Sequence, residues 1–314
     1  MESKWLEDFV TLSETRSFSR AAELRNVTQP AFSRRIQALE AWAGADLIDR
    51  TSYPTKLTPA GQVFYEQAME MLASINATRA LLRGKSAAHP ETIDFAVPHT
   101  LAMTFFPQWL TEVEKGFGPL LTRLSAFNVH DAVMQLVNGG CDLVIVYNHP
   151  RQPMHLDPQR YDTITLGSET MRAYAQADGE GQPIIKLPGS RSKPVPFLSY
   201  TPGAYLARMV DVLATESPRP LHLLKRFETD MAEVLKMMAL AGHGVAFLPE
   251  SAVQRELKPS PGKNTLAIAG EASIEMEIRL IRERPHWTAD KPRPSKANLS
   301  ALWEYLAQIH TRLQ

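Results

Sequence analysis

The chain has 314 residues, 44% of them hydrophobic and 22% charged, with 34 basic and 34 acidic side chains in balance. That composition suits a soluble globular protein of two or three domains, and zero net charge excludes a protein that coats nucleic acid through one uniform field. No apolar run approaches the ~18 residues of a membrane span and no signal segment opens the chain, so the expected compartment is the cytoplasm, without membrane partners.

Taken in chain order, the first informative stretch is SFSRAAELRNVTQPAFSRRIQALE, residues 17–40. Residues 16–35 carry five arginines against Glu23 alone, a local balance of +4 on a neutral protein, which suits selective contact with DNA. Ser17 is placed to cap a helix over residues 18–24, and Asn26 interrupts it. Thr28 is a second cap candidate. Pro30 then lies in a first turn, where a missing N–H is harmless. Phe32, Ile36 and Leu39 recur at spacings of four and three, one buried stripe against the preceding helix. Pro30, Ser33, Arg34 and Gln37 fall on the opposite face. Two short helices with this arrangement spell a helix-turn-helix, the second helix fitting a major groove. Gln29 suits a base edge, Arg34 a guanine or phosphate, and Thr28 and Ser33 phosphate oxygens. The competing reading is a plain helical hairpin with a solvated face.

Thr58 is a further N-cap, with Pro59 in the first turn of a helix expected to reach about Arg83, where Gly84 ends it. Phe64, Ala68, Met71, Ile75, Thr78 and Leu82 follow the 3.5-residue period of a two-helix seam. A stripe of this kind serves a dimer or packs on its own domain. Residues 85–91, KSAAHPE, form a polar linker.

Beyond it, strand-like and helix-like segments alternate: strand 92–97, helix 101–115, strand 120–127, helix 132–138, strand 142–147. The alternation resumes with VPFLSY, AYLARMVDVLA, LHLLKRF, MAEVLKMMALAG and GVAFLP. The order implies an α/β fold with parallel sheets flanked by helices. For an enzyme, the runner-up class, the signals are missing: the nine histidines show no metal spacing, neither HExxH nor GxSxG occurs, and Cys141, the single cysteine, has no placed base. One cysteine also leaves no intrachain disulfide and no multi-cysteine zinc site. No cofactor or metal is implied.

The residues FSRAAELRNVTQPAFSRRIQALE, then GADLIDR, then LTPAGQVFYEQAMEML resemble the N-terminal domain of LysR-type transcriptional regulators. Ala21 and Ala22, Gln29-Pro30, Ser33, Ile36, Leu39-Glu40, residues 47–50 and residues 57–61 fall where that family has them. The resemblance implies a winged helix-turn-helix over 1–58, a dimerising linker helix and hinge over 59–90, and a two-lobed effector domain like a periplasmic binding protein over 91–314. It further implies a homodimer or homotetramer on roughly palindromic promoter DNA. The wing departs from the family pattern: TSYPTK leaves only Arg50 and Lys56 as basic contacts.

DAVMQLVNGGCDLVIV and MALAGHGVAFLPESAV look like the helix-turn-strand units of the two lobes. The limits are expected near 165 and 267, giving lobe I as 91–165 and 267–314 and lobe II as 166–266. Ligands of such sheets sit where strands end and helices begin. Three loops fit: His99 and Thr100; Asn128; and Tyr200, Thr201 and Gly203. The family commonly holds a carboxylate with a hydroxyl at the first loop, matched here by Thr100, so the expected effector is a small organic anion. His99 adds a group that titrates near neutrality when unperturbed.

Nine of the twelve methionines lie beyond the linker. Met231, Val234, Leu235 and Met238 keep helical spacing and read as core. However, KWLEDFVTL and RNVTQPAFSRRIQALE resemble the hypochlorite-responsive subgroup of the family. That resemblance implies an alternative, a regulator switched by methionine oxidation, with Met231 as its candidate.

Overall fold

Ser17 opens the second helix as its sequence demands. Its hydroxyl accepts from the Arg20 N–H at 3.4 Å, and the computed structural model, which describes residues 2–52, 54–82, 91–154, 156–258, 264–285 and 296–311, begins with three short helices. These are α1 (Ser3–Thr15), α2 (Phe18–Leu24) and α3 (Gln29–Ala43). Asn26 ends α2 at φ 54°, a left-handed conformation that Asn tolerates better than most residues. Phe32, Ile36 and Leu39 are buried as one stripe with Leu6, Phe9 and Ala21, each large side chain contributing about 1.5–3 kcal/mol by leaving water. Thr28 is the N-cap residue of α3, but its hydroxyl makes no capping bond. The expected cap is thus replaced by an exposed hydroxyl, and Pro30 relieves the first turn of one unpaired N–H.

A small hairpin follows, β1 (Ile48–Asp49) antiparallel to β2 (Lys56–Leu57), and then α4 (Pro59–Leu82). Thr58 caps α4 as its position predicts, accepting from the Gly61 N–H at 2.9 Å while its own hydroxyl donates to the Asp46 carbonyl at 2.6 Å. Phe64 packs edge-on against Phe9, with ring centroids 5.3 Å apart, and Ala68 and Leu72 are buried in the same cluster. The stripe expected as a seam therefore begins by holding α4 to its own domain, while Val63 and Ile75 stay exposed. Arg83, Gly84 and most of the 85–91 linker lie outside the described residues.

The remaining elements are β3 (Ile93–Pro98), α5 (His99–Thr104), α6 (Phe106–Phe117), β4 (Thr122–Phe127), α7 (Val129–Val137), β5 (Leu143–Asn148) and β6 (Tyr161–Gln176). After them come β7 (Val195–Tyr200), α8 (Tyr205–Glu216), β8 (Leu223–Thr229), α9 (Ala232–Leu240), β9 (Val245–Pro249), α10 (Glu250–Val253), β10 (Leu266–Glu283) and α11 (Ala297–Thr311). The eight strands of this part run in the order β4-β3-β5-β10-β6-β9-β7-β8. Within each half the neighbours are parallel, β3 with β4 and β5, and β7 with β8 and β9.

Two expectations need correction. The sheet is mixed, because β10 runs antiparallel to both β5 and β6, and β6 antiparallel to β9. These two long strands carry the chain between the halves and join them. The helix expected over 101–115 is two helices: Pro107 has no N–H to offer Met103, so α5 stops and α6 begins at Phe106 with proline in its first turn. One apolar core, from Phe95 and Ile145 through Met276 to Leu198 and Phe247, spans both halves. Among the described residues no helix is long and apolar enough to cross a membrane.

Candidate functional site

The outer face of α3 is the first site. Thr28, Gln29, Pro30, Arg34 and Gln37 are exposed and Ser33 is half-buried, so the structure brings these six together on one surface. What selects Arg34 for this surface is the fate of its neighbours. Asp8, fully buried, accepts from Arg25 Nε at 2.7 Å and from Arg35 Nη1 at 3.1 Å. Two of the five clustered arginines thus fasten the helices to one another, a use that charge counting could not separate from DNA contact. A buried carboxylate between two guanidiniums binds far more strongly than an exposed pair.

The wing is built around a second buried carboxylate. Glu40 accepts from the Leu47 and Ile48 N–H groups at 3.0 and 3.1 Å, and from Arg50 Nη2 at 2.7 Å. Arg50 also lies over the Phe18 ring, 5.6 Å from its centroid. Its guanidinium is therefore partly committed to the wing's architecture, and Lys56 stands exposed on β2. Tyr53 lies outside the described residues.

The second site is the cleft between the halves of the effector domain, a cavity of about 370 Å³. His99, Thr100, Asn128, Thr201 and Gly203 all line it, as their loops predict. Tyr200 does not. It is 2% exposed, behind the cleft in the core, because the alternation of β7 turns its ring inward, and burial pushes its hydroxyl pKa up. Two lining tyrosines were not foreseen: Tyr147 at the end of β5 and Tyr205 at the start of α8. Their rings stack across the floor, centroids 6.4 Å apart and planes 17° apart, and burial raises both hydroxyl pKa values. Neither hydroxyl has a hydrogen-bond partner. The signal for Tyr147 was its place at a strand C-terminus, masked by the apolar run before it.

Charge in the cleft differs from the sequence expectation. No lysine or arginine lines it, whereas Asp131 and Asp230 do, and Glu23, Leu24 and Asn26 of the N-terminal domain close its outer side. Burial raises the Asp131 pKa, opposed by Arg25. Asn128 Nδ2 faces Asp230 Oδ2 at 3.4 Å, lobe to lobe. An anionic effector would find N–H and O–H donors here but no fixed cation. Among the described residues no group of three or more His, Cys, Asp or Glu side chains is placed to hold a metal ion.

Met231 is not core. It precedes α9 and is 37% exposed, and with Met103, 59% exposed, it lines a small pocket beside His99 and Thr100. The core positions of that stretch are Leu235 and Ala239, with Met238 packed against them.

The comparisons with known proteins agree with this architecture. Residues 3–62 match the bacterial regulatory helix-turn-helix of the lysR family, and residues 87–307 match the LysR substrate binding domain. The HTH-type transcriptional regulator YjiE of Escherichia coli is 33% identical over 259 residues, 82% of each chain. The crystal structure of Vibrio fischeri DarR in complex with DNA is similar over 98% of both chains, with 31% identity and a TM-score of 0.57. Full-length HypT from Salmonella typhimurium, a hypochlorite-specific LysR-type regulator, is 29% identical over 99% of both chains with a TM-score of 0.56. With both family domains matched across most of its length, the chain belongs to the LysR family of DNA-binding transcriptional regulators.

Proposed function

We propose that this regulator reads a palindromic promoter through Thr28, Gln29, Pro30, Ser33, Arg34 and Gln37 of α3, with Lys56 and the free edge of Arg50 on the wing, and that a small molecule in the inter-lobe cleft sets its state. The observation that carries the reading is the division of the arginines. Arg25 and Arg35 are consumed by Asp8, while Arg34 projects from the same helix without an ion pair among the described residues. His99, Thr100, Asn128, Thr201 and Gly203 hold the effector, which biases two arrangements of a dimer or tetramer. Exposed Val63 and Ile75 on α4 supply the apolar contact between copies. The domains run 1–58, 59–90 and 91–314, with lobe limits near 165 and 267, inside β6 and at the start of β10. The protein works in the cytoplasm as a regulator and not as an enzyme; substrate turnover by the purified chain would contradict this.

The test is footprinting on the intergenic DNA beside its own gene, with and without small-molecule panels. A palindromic footprint whose spacing shifts with a ligand is the expected result, and no sequence-specific footprint under any condition would overturn the reading. A second reading, oxidant sensing, has its own observation. Met231 and Met103 are accessible from solvent and flank one pocket from opposite lobes, so sulfoxide formation there places a polar group at the cleft. If a footprint shift on hypochlorite treatment survives Met231→Leu together with Met103→Leu, this reading fails.

A further inference from the structure

The cleft lacks the feature that a simple organic anion requires. Asp131 and Asp230 line it from the effector domain and Glu23 from α2, with no lysine or arginine among the lining residues. His130, also on the lining, is held down to about 4 by burial and by Arg25, Arg208 and Arg20, so its imidazole is neutral near pH 7. Arg208 lies over the Tyr205 ring and donates from Nη1 to the Gly203 carbonyl at 2.6 Å. That leaves its charge outside the cavity.

Asp230 is exposed, and its single hydrogen bond among the described residues is the long one from Asn128, at 3.4 Å. A carboxylate so weakly held is free to take a better partner. Nearby, donors wait for an acceptor. The first intrahelical bond of α7 runs from the Ala132 N–H to the Asn128 carbonyl at 2.9 Å, so the N–H groups of Val129, His130 and Asp131 come before it. Asn128 makes no side-chain cap. The Tyr147 hydroxyl, on a residue 1% exposed, and the Tyr205 hydroxyl, on a residue 4% exposed, are buried without partners on the cleft floor. A buried hydroxyl left unpaired is costly, which a ligand acceptor would relieve.

From this juxtaposition of an unpaired carboxylate with unpaired donors, we propose that the effector is a zwitterion, a small ammonium carboxylate of the amino-acid type. Its ammonium sits on Asp230 at the mouth, and its carboxylate meets the α7 amino end and the Tyr147 and Tyr205 hydroxyls. The volume of about 370 Å³ suits a ligand of that size. Closing of the lobes then follows from ligand chemistry, since the ammonium binds a lobe II residue and the carboxylate a lobe I helix. The inference rests on the cleft being the effector site.

The experiment is calorimetry and thermal shift on the full chain with matched pairs: alanine and propionate, aspartate and succinate, phenylalanine and 3-phenylpropionate, γ-aminobutyrate and butyrate, followed by the remaining common L-amino acids. At least one amine-bearing probe is expected to bind tenfold or more tightly than its amine-free partner. Asp230→Asn, an exposed and isosteric change, should reduce that affinity tenfold or more and leave the amine-free acid unchanged or tighter. Tyr147→Phe should weaken both members of the pair. If the amine-free acids bind as well as the amines and Thr201→Trp abolishes them, the cleft remains the site and the zwitterion assignment falls. If both series bind and Thr201→Trp changes neither, the cleft reading falls with it. Binding by no amine-bearing probe, or affinity indifferent to Asp230→Asn, also overturns the proposal.

Discussion

Arg34 and Arg35 are adjacent in sequence and opposite in use. Arg34→Ala should weaken operator binding by about 1–3 kcal/mol if the guanidinium reads a base, and by a smaller, sequence-independent amount if it holds phosphate. Competition between operator and random DNA, measured by fluorescence anisotropy, separates the two, and binding indifferent to the change would remove α3 from the groove. His130 carries a prediction of a different kind. Burial, with Arg25, Arg208 and Arg20 nearby, lowers its pKa to about 4 from 6.5, so the folded chain binds this proton less readily than the unfolded chain. The stability it contributes is complete above pH 6.5 and declines as pH falls through the window from 6.5 to 4, by at most ~1.4 kcal/mol per pH unit. His130→Gln should flatten that part of a denaturant-midpoint profile. An unchanged acid limb would show that other groups set it.

At the scale of elements, the wing and α4 meet through one glycine. A Cβ on Gly61 would overlap the Leu47 carbonyl oxygen, which is backbone and cannot step aside. The same Leu47 carbonyl accepts from the Thr58 N–H at 3.0 Å, and Thr58 caps α4. Gly61→Ala should therefore lift α4 off the wing, costing about 1–3 kcal/mol as overpacking does, with a lower thermal midpoint and weaker DNA binding together. A midpoint unchanged within error would mean that the hairpin yields at little cost. This contact was legible in the sequence only as part of the motif LTPAG, since spacing reveals a helix start but not which carbonyl lies beside it. The break between α5 and α6 was legible from Pro107 alone, yet the continuous apolar periodicity around it suggested a single helix. The strands β6 and β10 were the least visible elements. At 16 and 18 residues they far exceed the usual strand length of about 5–6, and β6 carries Gly167, Ser168 and Glu169 in its middle, where the chain passes between lobes.

Over the whole molecule, the halves of the effector domain are joined by a polar clip as well as by these strands. Glu169 on β6 accepts from the Ser251 N–H of α10 at 3.2 Å and from its hydroxyl, and Ser251 Oγ lies 3.0 Å from Thr104 Oγ1 of α5. Thr104 in turn donates to the Thr100 carbonyl at 2.9 Å, so the clip ends at the cleft lining. Burial raises the Glu169 pKa while the Ser251 bonds oppose the shift. Ser251→Ala should cost about 1 kcal/mol of stability and speed hydrogen exchange in α5, with a larger effect in the absence of effector than in its presence. Equal exchange in mutant and parent would make the clip incidental. Ser251 and Glu169 stand 82 positions apart in sequence, with no periodic pattern to connect them.

What the sequence determined by itself is local or short-range: the caps at Ser17 and Thr58, the Phe32, Ile36 and Leu39 stripe, the polar face of α3, and the alternation that makes the second part α/β. These follow from periodicity and capping chemistry, which act within a few residues. Tertiary structure decided everything that depends on distant partners. It assigned Arg25 and Arg35 to Asp8, turned Tyr200 into the core, and set Tyr147 against Tyr205 across two lobes. It also left the cleft acidic at Asp131 and Asp230. The physical reason is that a side chain's charge and shape are fixed by its residue type, whereas its role depends on which groups the fold leaves unpaired beside it.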